Sequence, residues 1–263
     1  MHVVTFINEK GGVGKTTLSL TLAAGLAIKG QRVLIIDGDS QGHVSVALGM
    51  KPTDGLFKLL AQEAKWDDVL IEPDKASWVG KYPEEKAGSL WVLPGNRTTI
   101  ALPQTLEDAG VLKERLEYLE DHVDVVVIDT APQLGLMHTV FYLATNSIVH
   151  PAQCEAFALE GVGQTTKHSR RMNADRAAYN LPSADLIGVI PNMFEAQTEA
   201  HKRGLKFLND TYGTGNILPT VGERTAWREA AINKKSIFAN SQGTQAEAEA
   251  WLMVSEIADR IYA

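Results

Sequence analysis

Cysteine is almost absent from this chain. Cys154 is the single one in 263 residues, so no internal disulfide and no cysteine-built metal cluster can form, and a reducing cytoplasm is the expected setting. Long apolar runs are missing too, and none approaches the ~20 residues of a membrane span. The N-terminus enters an apolar run directly, without the basic-then-apolar leader of a secreted protein. No repeat, low-complexity tract or long linker interrupts the sequence. The tryptophans show no period and carry no functional signal. The seven histidines, among them His43, His122, His138, His150 and His168, lack metal-ligand spacing and read as surface or packing residues. A positive excess is lacking as well: net charge is −7, which argues against nucleic acid at first sight. The distribution is uneven, however. Residues 161–235 carry a balance of +4 and the remainder −11, so a local basic surface is possible on an acidic protein.

What is present is a composition suited to a sizeable core, 44% hydrophobic and 22% charged. Apolar runs alternate with helical patterns. Strands are expected at Val3–Ile7, Arg32–Asp37, Leu90–Leu93, Asp124–Asp129, Ser147–His150, Leu186–Ile190 and Asn216–Leu218. Several are continuously apolar, as in a parallel sheet covered on both faces. Helices are expected at Thr16–Lys29, ending at Gly30, and at Gln104–Asp121, Gly161–Tyr179, Thr198–Tyr212, Arg224–Asn233 and Thr244–Tyr262. This alternation predicts a doubly wound α/β fold, a mostly parallel sheet with helices on both faces, in one domain over residues 1–263. Residues 72–88, with Pro73 and Pro83 and little periodicity, read as a surface excursion.

Lys10-Gly11-Gly12-Val13-Gly14-Lys15-Thr16-Thr17 follows the first apolar run and opens the first helix. A strand, a glycine-rich turn and a helix N-terminus make a phosphate cradle from converging backbone N–H groups. Lys15 would reach the terminal phosphates, and the Thr16 hydroxyl would lie on Mg²⁺. The ordinary loop has a glycine five places before Gly14. Glu9 stands there instead, followed by a second lysine, Lys10.

Asp37 and Asp39 end the second apolar run, where a strand-end acid beside a phosphate loop can hold a metal or a water. Asp129 ends the run Asp124–Ile128 and fits a water-mediated Mg²⁺ contact. Cys154 reads as a small buried residue rather than a nucleophile.

Asn8 to Thr17 resembles the deviant phosphate loop of the ParA/MinD partition ATPases, and the three motifs occur in that family's order between residue 2 and about residue 240. The stretch Asp37-Gly38-Asp39-Ser40-Gln41-Gly42 resembles its second motif, with Gly38 where a larger residue is usual and Ser40 for proline; both departures are expected to loosen this turn. Gln133–Leu136 resembles its second switch loop, and Pro151–Gly161 a stretch typical of ParA proteins. The resemblance implies an Mg²⁺-dependent ATPase of weak intrinsic activity that binds ATP/ADP through Lys10, Gly11, Gly12, Val13, Gly14, Lys15, Thr16 and Thr17. It implies that Lys10 reaches the nucleotide of a partner subunit in an ATP-bound homodimer. Asp39 would orient the attacking water, with Lys10, Lys15 and Asp39 as the catalytic set; Thr16, Asp37 and Asp129 would serve the metal, the two aspartates through water. The family's adenine-reading residue falls at Asn192, with Met193 packing on the ring.

ParA proteins bind duplex DNA without sequence preference, and the candidates are Lys167, Arg170, Arg171, Lys202, Arg203, Lys206, Arg224 and Arg228, joined by Lys234 and Lys235. A ParB-like or adaptor partner and a nucleoid-associated location are implied. The alternative is a MinD-like ATPase at a membrane surface. The helix at 246–262 is amphipathic but acidic, with four acids and one arginine, so packing on the sheet is expected instead. For an iron–sulfur reductase on the same loop, the single cysteine falls short of the usual pair from each subunit.

Overall fold

The computed structural model describes residues 1–132, 135–154 and 171–263. Among the described residues seven strands form one sheet: β1 (His2–Phe6), β2 (Arg32–Gly38), β3 (Ser89–Leu93), β4 (Val125–Thr130), β5 (Ser147–Gln153), β6 (Asp185–Phe194) and β7 (Val221–Gly222). Their order is β3-β2-β4-β1-β5-β6-β7, and every pairing is parallel. The central runs Val33–Ile36 and Val125–Ile128 are completely buried. Continuous apolarity suits them to a sheet covered on both faces.

One face is covered by α1 (Lys15–Ile28), α11 (Ile237–Asn240) and α12 (Gln245–Tyr262). Helix α1 is apolar nearly all round because it lies between the sheet and α12. It stops at Gly30, whose φ of +95° favours glycine. Gly25 is its contact point with α12: a Cβ there would stand 2.7 Å from Val254. Ala246, Ala250, Met253, Val254 and Ile257 are buried, so the apolar face of α12 packs on the sheet side, as expected. The other face carries α3 (Gly55–Ala61), α6 (Val111–Glu117) and α7 (Leu136–Ala144). Helix α8, whose described part is residues 171–178, and α9 (Glu199–Tyr212) follow β5 and β6.

The expected strands appear with shifted ends, except the last. Residues 214–216 form a single 3₁₀ turn, and Ile217 makes only an isolated bridge to Val189. Pro219, with no N–H to donate, bars a ladder there, and the edge strand forms at Val221–Gly222 instead. The expected helix Gln104–Asp121 is broken. A short turn at Leu102–Thr105 is separated from α6 by a loop in which the Asp108 side chain accepts from the Gly110 N–H. A side-chain acceptor of this kind competes with the helical ladder. Residues 72–88 are only partly on the surface. Trp78 and Val79 are fully buried, the Tyr82 hydroxyl donates to Glu247 Oε1 (2.5 Å), and Trp251 Nε1 donates to Tyr82 (2.6 Å). The first part of the expected helix Gly161–Tyr179 lies outside the described residues, as do Gln133 and Leu134.

Candidate nucleotide site

Register assembles the site. Parallel pairing sets Asp37 beside Asp129 and Asp129 beside Phe6, so both carboxylates emerge next to the loop that leaves β1. This is the carboxyl edge of the sheet, where open α/β folds bind ligands. Gly12 and Gly14 have φ of +75° and +90°, and a Cβ on Gly14 would run into the Asn192 carboxamide. The loop therefore needs glycine at 14 both for its turn and for the close approach of β6.

Lys15 is buried, and its ammonium donates to the carbonyls of Asn8 (2.8 Å) and Lys10 (3.2 Å). Burial lowers its pKa, opposed by the nearby Asp129 and Asp39. The loop thus holds its lysine curled over the cradle, braced by carbonyls that a phosphate would replace. Thr16 donates to Asp129 Oδ2 at 2.6 Å. The remaining oxygen, Asp129 Oδ1, is buried without a hydrogen bond, and so is Asp37 Oδ1. Burial pushes the Asp129 carboxyl up to about 7, with Thr16 and Lys15 pulling the other way. Burial and the charge of Asp129 raise Asp37 well above the carboxylate range. Two desolvated carboxylates side by side, each with an orphaned oxygen and next to a threonine hydroxyl, fit a hydrated divalent cation. Among the described residues no three His, Cys, Asp or Glu side chains are grouped to hold a metal alone, so phosphate oxygens and water would complete the shell.

Asp39 is half-buried and accepts from the Gln41 N–H (2.9 Å), with its carboxylate at the rim of the cradle. Gly38 has no room for a side chain. A Cβ there would meet the Asp129 carbonyl at 2.5 Å and the Phe141 ring at 2.7 Å, so Phe141 of α7 fills the space that a larger residue would take.

Asn192 lies on β6 and donates to the Val13 carbonyl at 2.8 Å. It lines a cavity of about 150 Å³ together with Gly14, Leu18, Met193, Arg224 and Trp227. The mixed apolar and polar lining beside the phosphate loop can take a flat heterocycle. Lys10 is exposed, and its ammonium donates to Gln153 Oε1 at 2.7 Å. Asn8 ties the loop together, accepting from the Lys10 N–H and donating to the Pro151 carbonyl. Sequence reasoning did not single out Asn8, Gln153 or Trp227. Asn8 and Gln153 stand within stretches quoted for the resemblance, but only the fold brings them together. Cys154 is fully buried, its thiol pushed up to about 11 by burial, as expected of a packing residue.

Among the described residues, several basic candidates have acidic partners. Lys167 and Arg170 lie outside the described residues. On α9, Lys202 pairs with Glu199 (2.6 Å) and Lys206 with Asp210 (2.5 Å). Arg224 is held by Glu249 of α12 at 2.5 Å, and Arg228 lies 3.9 Å from Glu223. Arg171 and Arg203 are exposed.

A family model described as an AAA domain matches residues 1–180. The sporulation initiation inhibitor protein Soj of Bacillus subtilis is 34% identical over 205 residues, covering 74% of each chain. Among solved structures, apo McdA of Cyanothece superposes with a TM-score of 0.80 at 18% identity, over 98% of this chain and 99% of that one. The cobyrinic acid a,c-diamide synthase of Mycobacterium smegmatis, with bound ADP and magnesium, has a TM-score of 0.79 at 23% identity, over 100% of this chain and 96% of that one.

Proposed function

Since the chain belongs to the ParA/MinD family of ATPases, we propose that it is a partition switch. In this reading its one domain, residues 1–263, binds ATP with Mg²⁺, pairs with a second copy, holds nucleoid DNA without sequence preference, and resets when a ParB-like or adaptor partner stimulates hydrolysis. The cargo would be a plasmid, a chromosome or a protein assembly. The carrying observation is the second loop lysine, Lys10, which stands at the mouth of a cradle that already has its own phosphate lysine, Lys15.

Each residue then has a task. The loop N–H groups of Gly11 to Thr17 would hold the phosphates, and Lys15 would exchange its carbonyl partners for phosphate oxygens. Thr16, Asp37 and Asp129 would hold Mg²⁺, the aspartates through water, and Mg²⁺ supplies charge neutralisation on the phosphate oxygens. Asp39, at the rim, would orient the water that attacks the terminal phosphate. Lys10 would reach the partner subunit's phosphates and add positive charge where negative charge develops. Asn192 and Met193 would receive the adenine in the cavity beside Gly14. The solved diamide synthase with ADP and magnesium supports the choice of cofactors.

A membrane-surface role finds less support. The apolar side of α12 is already covered, and among the described residues no helix is long and apolar enough to cross a membrane.

The test is retention of duplex DNA of unrelated sequences with ATP and with ADP. The reading expects ATP-dependent retention that weakens steeply with salt. Equal retention with either nucleotide, or none at low salt, would refute the DNA step. Arg203→Ala and Arg171→Ala are the informative variants, because Lys202, Lys206 and Arg224 have close acidic partners.

A further inference from the structure

We propose that Ser45 is a positioning residue of the metal site, its hydroxyl holding, together with Asp37, a water of the cation's shell. The proposal rests on the reading of Asp37 and Asp129 as the carboxylates that serve Mg²⁺. Ser45 lies in α2 (His43–Ala47), the short helix that follows the second motif. Its N–H donates to Asp37 Oδ2 at 3.2 Å, inside the protein. One residue thus carries the donor that fixes one oxygen of this carboxylate and, on its side chain, a hydroxyl close by.

That hydroxyl has no partner. Ser45 is fully buried, and its Oγ makes no hydrogen bond. No other fully buried serine or threonine hydroxyl among the described residues is left this way. Helical hydroxyls elsewhere return their proton to the preceding turn. Ser19 donates to the Thr16 carbonyl (3.0 Å), Thr21 to that of Thr17 (2.7 Å) and Thr105 to that of Ala101 (2.9 Å). Burying a hydroxyl without a partner costs stability, and between Val44 and Val46 an alanine would fill the position without that cost. A second orphan belongs to the same contact, Asp37 Oδ1. The third, Asp129 Oδ1, belongs to the residue that pairs with Asp37 across the sheet.

These orphans are what a hydrated cation needs. Mg²⁺ keeps several of its waters. Each such water turns a lone pair to the metal and has two hydrogens to give, so it needs two acceptors. Asp37 Oδ2 is already engaged by the Ser45 N–H. Asp37 Oδ1 takes one hydrogen, and Ser45 Oγ takes the other, its own hydrogen rotating to suit. Ser45 thus touches neither nucleotide nor metal. Its hydroxyl is a cost in the empty protein that the water relieves, like the orphaned carboxylate oxygens beside it.

The experiment compares the full-length wild type with Ser45→Ala. The affinity of a fluorescent ADP analogue is measured in saturating Mg²⁺ and again in EDTA, and the nucleotide-free proteins are melted in EDTA. Ser45→Ala is expected to cut the factor by which Mg²⁺ tightens ADP binding about fivefold, the worth of roughly one net hydrogen bond. Its affinity in EDTA should match the wild type, and it should melt no lower, because the hydroxyl removed had no partner. Equal tightening by Mg²⁺ in the two proteins would overturn the proposal. So would a loss of affinity that is the same in EDTA as in Mg²⁺, or a Ser45→Ala protein that melts lower or fails to fold, since each marks a purely structural hydroxyl. A wild type that binds no ADP refutes the nucleotide reading, and one that binds ADP equally with and without Mg²⁺ refutes the metal reading; the proposal falls with either. A wild type that shows both, with Ser45→Ala unchanged, refutes this proposal alone.

Discussion

Asp129 shows how far this site is built at the expense of the empty fold. Its carboxyl is buried, pushed up to about 7, and has one oxygen without a hydrogen bond. A carboxyl whose folded pKa lies above its unfolded value destabilises the protein above that folded pKa, and the penalty is relieved as pH falls through about 7 toward 4. Asp129→Asn keeps an acceptor for Thr16 and removes the charge. It is expected to raise the melting temperature of the nucleotide-free protein at pH 8 by roughly 2–4 °C, or about 1 kcal/mol. That advantage should shrink at pH 5, and the added stability that Mg²⁺ with ADP gives the wild type should be lost; thermal unfolding at the two pH values measures both. Gly38→Ala tests the contact with α7. With Phe141 and the Asp129 carbonyl in the way, overpacking should destabilise by about 1–3 kcal/mol in a denaturant titration. The loop glycines, Lys15, Thr16 and the strand-end acids were legible because their chemistry is local. Gln153 was not, because its carboxamide acquires meaning only once β5 brings it to Lys10 and Met193, far away in the chain.

Among the elements, a buried charge ties α8 to the end of α7, beside the packing of Met172 on Tyr142. Arg176 is buried, and it donates to the carbonyls of Tyr142 (2.5 Å) and Thr145 (2.6 Å) at the end of α7 and of Pro182 (2.6 Å). Helix α7 follows the second switch segment, and at its end the Tyr142 carbonyl also accepts from the Thr145 N–H. Arg176→Met should cost about 2–4 kcal/mol, because it removes the guanidinium donors from the Thr145 and Pro182 carbonyls, and amide exchange in α7 should accelerate with it. Apolar strands were readable from sequence because a covered parallel sheet demands continuous hydrophobicity. Helix α7 went unread for the opposite reason. Its sequence, LMHTVFYLA, is mostly apolar and largely buried, so no polar stripe marks a helical period. The broken helix near residue 108 and the buried Trp78 were equally invisible. One depends on an aspartate side chain that competes with the ladder, and the other on a loop that inserts into a core made by α1, α11 and α12.

At the scale of the whole molecule, the chain offers a completed cradle and one lysine that its own cradle does not require. Lys10 sits at the mouth of the site on Gln153, while Lys15 lies buried within the loop. The central claim is that Lys10 acts across a dimer that ATP closes. The direct test is light scattering of purified wild type and Lys10→Ala with saturating Mg²⁺ and ATP, alongside nucleotide affinity from a fluorescent ATP analogue. The account predicts that both proteins bind nucleotide with affinities within about threefold of each other, a difference below 1 kcal/mol, and that only the wild type doubles in mass. A Lys10→Ala protein that dimerises as readily as the wild type, or a wild type that stays monomeric with ATP bound, would contradict it.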